Sequence, residues 1–120
     1  EQVIGAYFDV YNDLGYGFLE RVYQNAMYFE LLDKGLKVEA QKSVKVYRKG
    51  RLIGNYYADI IVNDVVIVEL KAVASLTEAH QVQLINYLKA TNMEVGLLIN
   101  FGTTPQFERK TWSNERKNLP

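Results

Sequence analysis

Three ionisable side chains lie in a segment that is otherwise mostly apolar. Asp59, Glu69 and Lys71 belong to two apolar runs that the pair Asn63-Asp64 is expected to join as a turn. Charged side chains are seldom buried without a partner, because removing an ion from water carries a large desolvation cost. Two carboxylates can bind a hard divalent cation, and a neighbouring lysine can orient or deprotonate a water molecule. These residue types therefore predict a metal-dependent phosphodiesterase.

The turn between the two strands decides whether the carboxylates share a face. Glu69 and Lys71 are two residues apart on one strand, so they point to the same side. A two-residue turn would pair Val62 with Val65, and Asp59 would then point away from Glu69. A three-residue connection, or one bulge, would bring Asp59 back to the Glu69 face. The predicted site therefore requires the less regular of the two connections.

Composition restricts the class of protein. The chain has 120 residues, of which 48% are hydrophobic and 23% charged, so we expect one globular domain spanning residues 1–120. It has no cysteine, which excludes disulfides, zinc–thiolate sites and cysteine nucleophiles. No apolar run approaches the roughly 20 residues of a membrane span, and no signal peptide is visible. We therefore expect a cytoplasmic protein without a membrane partner.

The formal net charge is zero, which argues against a protein that coats nucleic acid nonspecifically. The cations are nevertheless clustered in two places. One group lies around the Lys49-Gly50 hairpin turn and the other near the end of the chain: Lys34, Lys37, Lys42, Lys45, Arg48, Lys49 and Arg51, then Arg109, Lys110, Arg116 and Lys117. Each group could be a solvated face, or the two could flank a phosphate-binding groove. Lys45 and Arg48 are the candidate substrate-binding cations of the hairpin.

Hydrophobic periodicity predicts the element order ααβββαβ. The predicted helices cover residues 1–14, 18–34 and 75–91, and the predicted strands cover 36–47, 52–62, 65–71 and 95–101. Ser75 and Glu78 are expected to form the capping box of the third helix. An additional edge strand is considered around residues 107–112. The expected fold is α/β, with a mixed central sheet, its first three strands as an antiparallel meander, and helices on both faces.

The spacing of Asp59, Glu69 and Lys71 resembles the PD-(D/E)XK nuclease motif, with Ala58 at the position of the name-giving proline. The segment 17–23, Gly-Phe-Leu-Glu-Arg-Val-Tyr, matches the G-x-x-E-x-x-Y signature of the GxxExxY protein family. Further similar blocks lie at residues 59–62, 68–72, 80–88 and 96–102. The chain is thus identified as a member of that family within the nuclease superfamily, over residues 1 to about 102. The resemblance implies a restriction-endonuclease-like fold.

The resemblance also implies roles for the charged residues. Asp59 and Glu69 would hold Mg²⁺ or Mn²⁺, and Lys71 would position the attacking water. Glu20 matches a helical glutamate that many members place near the metal, often through water. An acidic residue in the first turn of a helix is also favoured by the helix dipole, so Glu20 has a purely structural alternative.

Four further residues are candidates of a weaker kind. Gln83 and Tyr87 resemble a Q-x-x-x-Y element found in one exonuclease branch, and their spacing places them on one helix face. They could instead be a packed polar pair. Tyr23 is either a nucleotide-binding platform or a core aromatic, and His80 is more typical of a helix surface or cap than of a metal ligand.

The leading hypothesis is a Mg²⁺- or Mn²⁺-dependent nuclease that hydrolyses phosphodiester bonds in DNA or RNA. The alternative is a nucleic-acid-binding or protein-binding module on a nuclease fold, with little or no turnover. A subunit of a larger complex is a third hypothesis, which an exposed apolar patch would favour. A homodimer also stays open.

Overall fold

The computed structural model describes residues 1–117. Its helices and strands alternate in the order ααβββαββ, followed by a short 3₁₀ turn. Their bounds are α1 Gln2–Leu14, α2 Glu20–Asp33, β1 Val38–Arg48, β2 Arg51–Val62, β3 Val66–Lys71, α3 Glu78–Ala90, β4 Val95–Phe101, β5 Pro105–Thr111 and the turn Asn114–Arg116. The predicted order lacked β5, which the sequence indicated only as an additional edge strand. The remaining elements agree with the prediction apart from shifts at their ends.

The five strands form one mixed sheet in the order β1-β2-β3-β4-β5. The first three strands are antiparallel neighbours, as predicted for a meander. β3 and β4 are parallel and are connected through α3, while β5 pairs antiparallel with β4. The carboxyl ends of β3 and β4 therefore lie side by side at one edge of the sheet.

Each face of the sheet carries its own hydrophobic core. α1 and α2 pack on one face, where Tyr7 and Met27 meet strand residues such as Val68. α3 packs on the other face, where Leu84 contacts the cluster that contains Ile67. Because β3 is covered on both sides, its side chains are apolar on both faces, as the sequence predicted. Any charged side chain on β3 must therefore lie near its end.

The third helix begins later than predicted. Thr77 is the N-cap: its hydroxyl accepts a hydrogen bond from His80 N at 3.3 Å, and His80 Nδ1 accepts one from Thr77 N at 3.1 Å. These two residues form the capping box. The predicted box of Ser75 and Glu78 was wrong, because Glu78 already lies inside the helix. His80 is thus a capping residue.

The loop after β3 is held by the buried side chain of Asn100 on β4. Its Oδ1 accepts a hydrogen bond from Val73 N at 3.0 Å, and its Nδ2 donates one to Val73 O at 2.9 Å. Tyr7 Oη donates to the carbonyl oxygen of Asn100, which ties α1 to the same point. These contacts fix the backbone that follows Lys71.

None of the helices within residues 1–117 has the length and apolar character of a membrane span.

Candidate active site

The connection between β2 and β3 is the irregular one. Val62 pairs with Val66, so three residues, Asn63 to Val65, form the turn. Asn63 and Asp64 both adopt left-handed φ angles, 53° and 56°, which Asn and Asp tolerate better than most residues. Val65 is left outside the ladder and is 53% exposed. The turn contains one residue more than the simplest hairpin would have.

This extra residue brings the two carboxylates together. Continuing the observed pairing of Ile60 with Val68 places Asp59 opposite Glu69, and residues opposite each other share a face. Asp59 Oδ2 also accepts a hydrogen bond from Leu70 N at 2.8 Å. Lys71 follows on the same face as Glu69. The three residues of the sequence motif therefore meet at the end of β3.

The opposite edge of β2 is also irregular at Asp59. The β1–β2 ladder passes from the pair Ala40–Ile60 to the pair Lys42–Ala58, with Gln41 at a left-handed φ of 54° between them. The Gln41 side chain turns to α2, where it donates a hydrogen bond at 2.6 Å to the buried Gln24. Backbone of this strained kind is common next to functional groups. Here the buried residues on the two sides of Asp59 belong to different cores, Ile60 to the core of α1 and α2 and Ala58 to the core of α3.

The proximity of the two carboxyl groups perturbs the protonation of Glu69. Burial raises the pKa of Glu69 to about 9, and Asp59 adds to the shift through its charge and a carboxyl–carboxyl hydrogen bond. Lys71 opposes the shift, and Glu20 contributes to it more weakly. Two carboxylates that face each other without a cation cannot both ionise cheaply. Without metal, burial and the neighbouring Asp59 charge therefore favour the protonated form of Glu69 at neutral pH.

Glu20 comes to the same place from the other layer of the domain. It is the first residue of α2, and its side chain is exposed. Partial burial and the charge of Asp59 raise the pKa of Glu20, whereas Lys71 lowers it. Glu20 thus lies within electrostatic range of Asp59 and Lys71. We refer to Asp59, Glu69, Lys71 and Glu20 as the carboxylate cleft.

The donor atoms of the carboxylate cleft suit a metal held by two protein ligands. Within residues 1–117, no three His, Cys, Asp or Glu side chains are gathered closely enough to hold a metal. Glu20 therefore does not complete a three-ligand set. However, Glu69 Oε1 is buried and has no hydrogen-bond partner among the described residues. This oxygen and the Asp59 oxygen that does not bind Leu70 fit Mg²⁺, which commonly takes one or two carboxylates and completes its shell with water and phosphate oxygens.

A stacked pair of tyrosines lies within electrostatic range of Glu69. The rings of Tyr56 and Tyr87 lie 3.6 Å apart at 11°. Burial, then the charge of Glu69, raises the pKa of both hydroxyls, and a hydrogen bond with Gln83 opposes the shift at Tyr87. Gln83 and Tyr87 thus contact each other from one face of α3, as their spacing predicted, and Tyr87 lies within electrostatic range of Glu69. Gln83 also lines an open groove of about 590 Å³ along α3.

Sequence reasoning missed Tyr56. Its hydroxyl is buried and, within the described residues, has no hydrogen-bond partner. Strand alternation places Tyr56 and Tyr57 on opposite faces, and Tyr57 is 58% exposed. Residue type alone gave no reason to prefer one tyrosine over the other, because the choice depends on which face α3 covers.

Tyr23 does not reach the cleft. It is fully buried, and its ring stacks on Phe101 with centroids 4.1 Å apart. Its hydroxyl donates to Gly15 O at 2.6 Å and accepts from Phe18 N at 3.2 Å. The tyrosine of the G-x-x-E-x-x-Y signature is therefore a core aromatic here, and it holds the turn that leads into α2 rather than a nucleotide.

The two basic groups differ in their surroundings. In the hairpin, Lys45, Arg48, Lys49 and Arg51 are exposed and form no ion pair within residues 1–117, whereas Lys42 lies 3.0 Å from Glu39.

The second group is largely engaged in structural contacts. Arg116 lies over the Trp112 ring at 3.7 Å, and Lys117 Nζ donates to Thr91 O and Met93 O. Arg109 lies 3.6 Å from Glu1. We call the hairpin segment 42–58 the basic arm, because in the described part of the chain it alone presents a run of unpaired cations.

A five-stranded mixed sheet with helices on both faces, and an acidic pair and a lysine at the end of a central strand, defines a nuclease-like α/β domain. Residues 1–112 match the family model of the PD-(D/E)XK nuclease superfamily. The chain belongs to this superfamily.

A solved structure described as "Crystal structure of SSO0001" resembles this chain with a TM-score of 0.60 and 16% sequence identity. The match covers 78% of this chain and 50% of that chain, so the present chain spans about half its length. At this identity the likeness concerns the fold. No curated protein matches the chain.

Proposed function

We propose that this protein is a metal-dependent nuclease that hydrolyses phosphodiester bonds in DNA or RNA, and that it belongs to the GxxExxY branch of its superfamily. The observation that carries the proposal is the proximity of the Asp59 and Glu69 carboxyl groups beside Lys71 at the end of β3. A buried carboxyl pair of this kind destabilises the apo protein, so a bound cation would relieve the cost. We further propose a cytoplasmic location.

The proposed chemistry divides among four side chains. Asp59 and Glu69 would hold Mg²⁺ or Mn²⁺, which when bound supplies positive charge to the phosphorane-like transition state. Lys71, on the Glu69 face, would orient the attacking water through its ammonium group. Glu20 is exposed and lies near Asp59 and Lys71, so its role would be to accept a hydrogen bond from water in the cleft.

The basic arm supports binding of the nucleic-acid backbone. Between Ala40 and Ala58 the chain contains five cations and no acidic residue. Contacts between exposed cations and phosphates provide affinity without reading the base sequence. Lys45 and Arg48 lie on β1 within this arm and would bind phosphates that flank the cleaved bond.

The test combines calorimetry with Mn²⁺ and cleavage assays on single-stranded, duplex and branched substrates. We expect wild-type protein to bind Mn²⁺ and to cleave at least one substrate, with EDTA abolishing cleavage. Asp59→Ala and Glu69→Ala should lose both properties, because each removes a ligand. Lys71→Ala should retain metal binding and lose rate. Asp13→Ala, which removes an exposed carboxylate of α1, is the matched control. Cleavage that persists in Glu69→Ala would refute the proposal.

A binding module without turnover is the second candidate. The basic arm favours it, because its cations can hold phosphates whether or not the cleft is active. Wild-type protein that binds oligonucleotides through Lys45 and Arg48 but takes up no Mn²⁺ would support this candidate over the nuclease.

A further inference from the structure

A second cavity lies close to the carboxylate cleft. It has a volume of about 240 Å³ and opens where β3 and β4 end, on the side of the sheet covered by α1 and α2. One wall is the loop that follows Lys71 and includes Val73. The other wall is the turn that leads into α2 and includes Tyr16 and Phe18. Phe18 precedes Glu20 by two residues and Val73 follows Lys71 by two, so each wall is joined by a short segment to a residue of the carboxylate cleft.

The lining of this cavity is aromatic and uncharged. Tyr16 and Phe18 are 61% and 47% exposed, and Val73 is 36% exposed, although all three are large apolar residues. Phe101 closes the base of the cavity. No charged residue lines it within the described part of the chain. Exposed aromatics next to a charged cleft are typical of a site for a ligand that has both a flat apolar part and an anionic part.

Buried polar contacts hold both walls in place. The backbone of Phe18 is bound by the hydroxyl of Tyr23, and the backbone of Val73 is bound at both N and O by Asn100. At the rear, a Cβ on Gly102 would lie 2.5 Å from Val73 O, so only glycine allows this close approach. Because the walls of the cavity are already ordered, ligand binding carries little cost in conformational entropy of the protein.

We propose that the aromatic cavity receives one unstacked base of a single-stranded nucleic acid whose backbone lies across Lys71 and Glu20 into the carboxylate cleft. The inference rests on the proposed nuclease function and names its substrate class. The volume is below that of common drug-sized sites, which suits a single base. The uncharged aromatic walls suit a base of any identity, since every base has a π-face. Lys71 attracts the adjoining phosphate. A base inside an intact duplex cannot enter such a cavity without being flipped out.

The test measures binding in EDTA, so that cleavage does not interfere. Short single-stranded oligonucleotides, with and without one abasic position, are titrated against wild type, Phe18→Ala and Phe18→Trp. Phe29→Ala is the matched control, because Phe29 is also an exposed phenylalanine of the α2 region, 61% exposed, but lies outside the cavity.

We expect Phe18→Ala to weaken single-strand binding by about 5- to 160-fold, the range found for loss of one base-stacking contact. Phe18→Trp should retain binding, and Phe29→Ala should resemble wild type. In wild type, the abasic position should cause a loss similar to that of Phe18→Ala, and the two losses should not add. Duplex binding should not depend on Phe18.

Several results would overturn the proposal: equal single-strand affinity in wild type and Phe18→Ala, additive effects of the abasic position and the substitution, or equal dependence of duplex binding on Phe18. A change in sedimentation with Phe18→Ala, without a change in oligonucleotide binding, would assign the surface to self-association instead. Phe18-dependent binding without cleavage of any substrate would leave the cavity assignment intact and count against the nuclease. Cleavage that does not depend on Phe18 would support the nuclease and count against the cavity as the site of the base.

Discussion

Replacement of Glu69 by glutamine should remove most of the dependence of stability on pH near neutrality. In the folded protein the pKa of Glu69 is about 9, against an ordinary value of 4.5. Between these values the folded chain holds a proton that the unfolded chain has released. The contribution of Glu69 to the unfolding free energy is therefore fully present below its unfolded pKa. It is lost as the pH rises from that value towards the folded pKa.

The size of the effect follows from proton linkage. One proton corresponds to about 1.4 kcal/mol of unfolding free energy per pH unit. From about pH 6 to about pH 8 the metal-free protein should lose roughly 3 kcal/mol from this group. The amide introduced by Glu69→Gln is always neutral, and it can donate a hydrogen bond to Asp59 as the protonated acid does. The unfolding free energy of the variant should therefore not fall over this pH range.

Urea unfolding in EDTA at several pH values between about pH 6 and about pH 8 measures the difference. Asp13→Asn, which alters an exposed carboxyl on α1, is the control and should keep the wild-type slope. Equal slopes in wild type and Glu69→Gln would refute the interpretation of Glu69 as a buried, protonated partner of Asp59. Saturating Mn²⁺ should reduce the wild-type slope, because a bound cation keeps Glu69 ionised.

Three further substitutions test other parts of the structure. Tyr56→Phe removes a buried hydroxyl that has no partner among the described residues, so the unfolding free energy of the metal-free protein should rise by about 1 kcal/mol; in Tyr57→Phe, at an exposed site, urea denaturation should show little change. Gly102→Ala forces a Cβ to within 2.5 Å of Val73 O and should cost about 1–3 kcal/mol, seen as a lower Tm; an unchanged Tm would contradict the close approach. Thr77→Ala should cost about 1 kcal/mol in thermal unfolding, since it removes the side-chain cap of α3, and Thr77→Ser should restore most of it.

The sequence predicted the elements of this fold because its apolar periodicity is strong. β3 and β4 are apolar on both faces, which indicated a central, covered position, and the parallel pairing of these strands followed from the helix between them. β5 was indicated only weakly, because an edge strand that alternates between exposed and half-buried residues has little hydrophobic signal.

The candidate site was predictable in composition but not in geometry. Asn63-Asp64 suits both a two-residue turn and a longer one, and only tertiary packing of Val62 and Val66 selects between them. For Tyr23, the sequence left the location of the side chain open. Nothing in the sequence around Tyr23, three residues after Glu20, shows whether its side chain lies in the cleft or in the core, and the difference is set by Phe101, far along the chain.

The site of an insertion or deletion between Asp59 and Glu69 should decide its effect on the carboxyl pair. A residue added to or removed from the turn Asn63–Val65 can leave Val62 paired with Val66, and Asp59 then stays opposite Glu69. A single residue added to or removed from the paired segments 60–62 or 66–68 would instead shift the alternation of one strand and send one carboxyl to the other face of the sheet. Changes in length should therefore be tolerated at the surface turn and selected against in the few paired residues that separate it from the cleft.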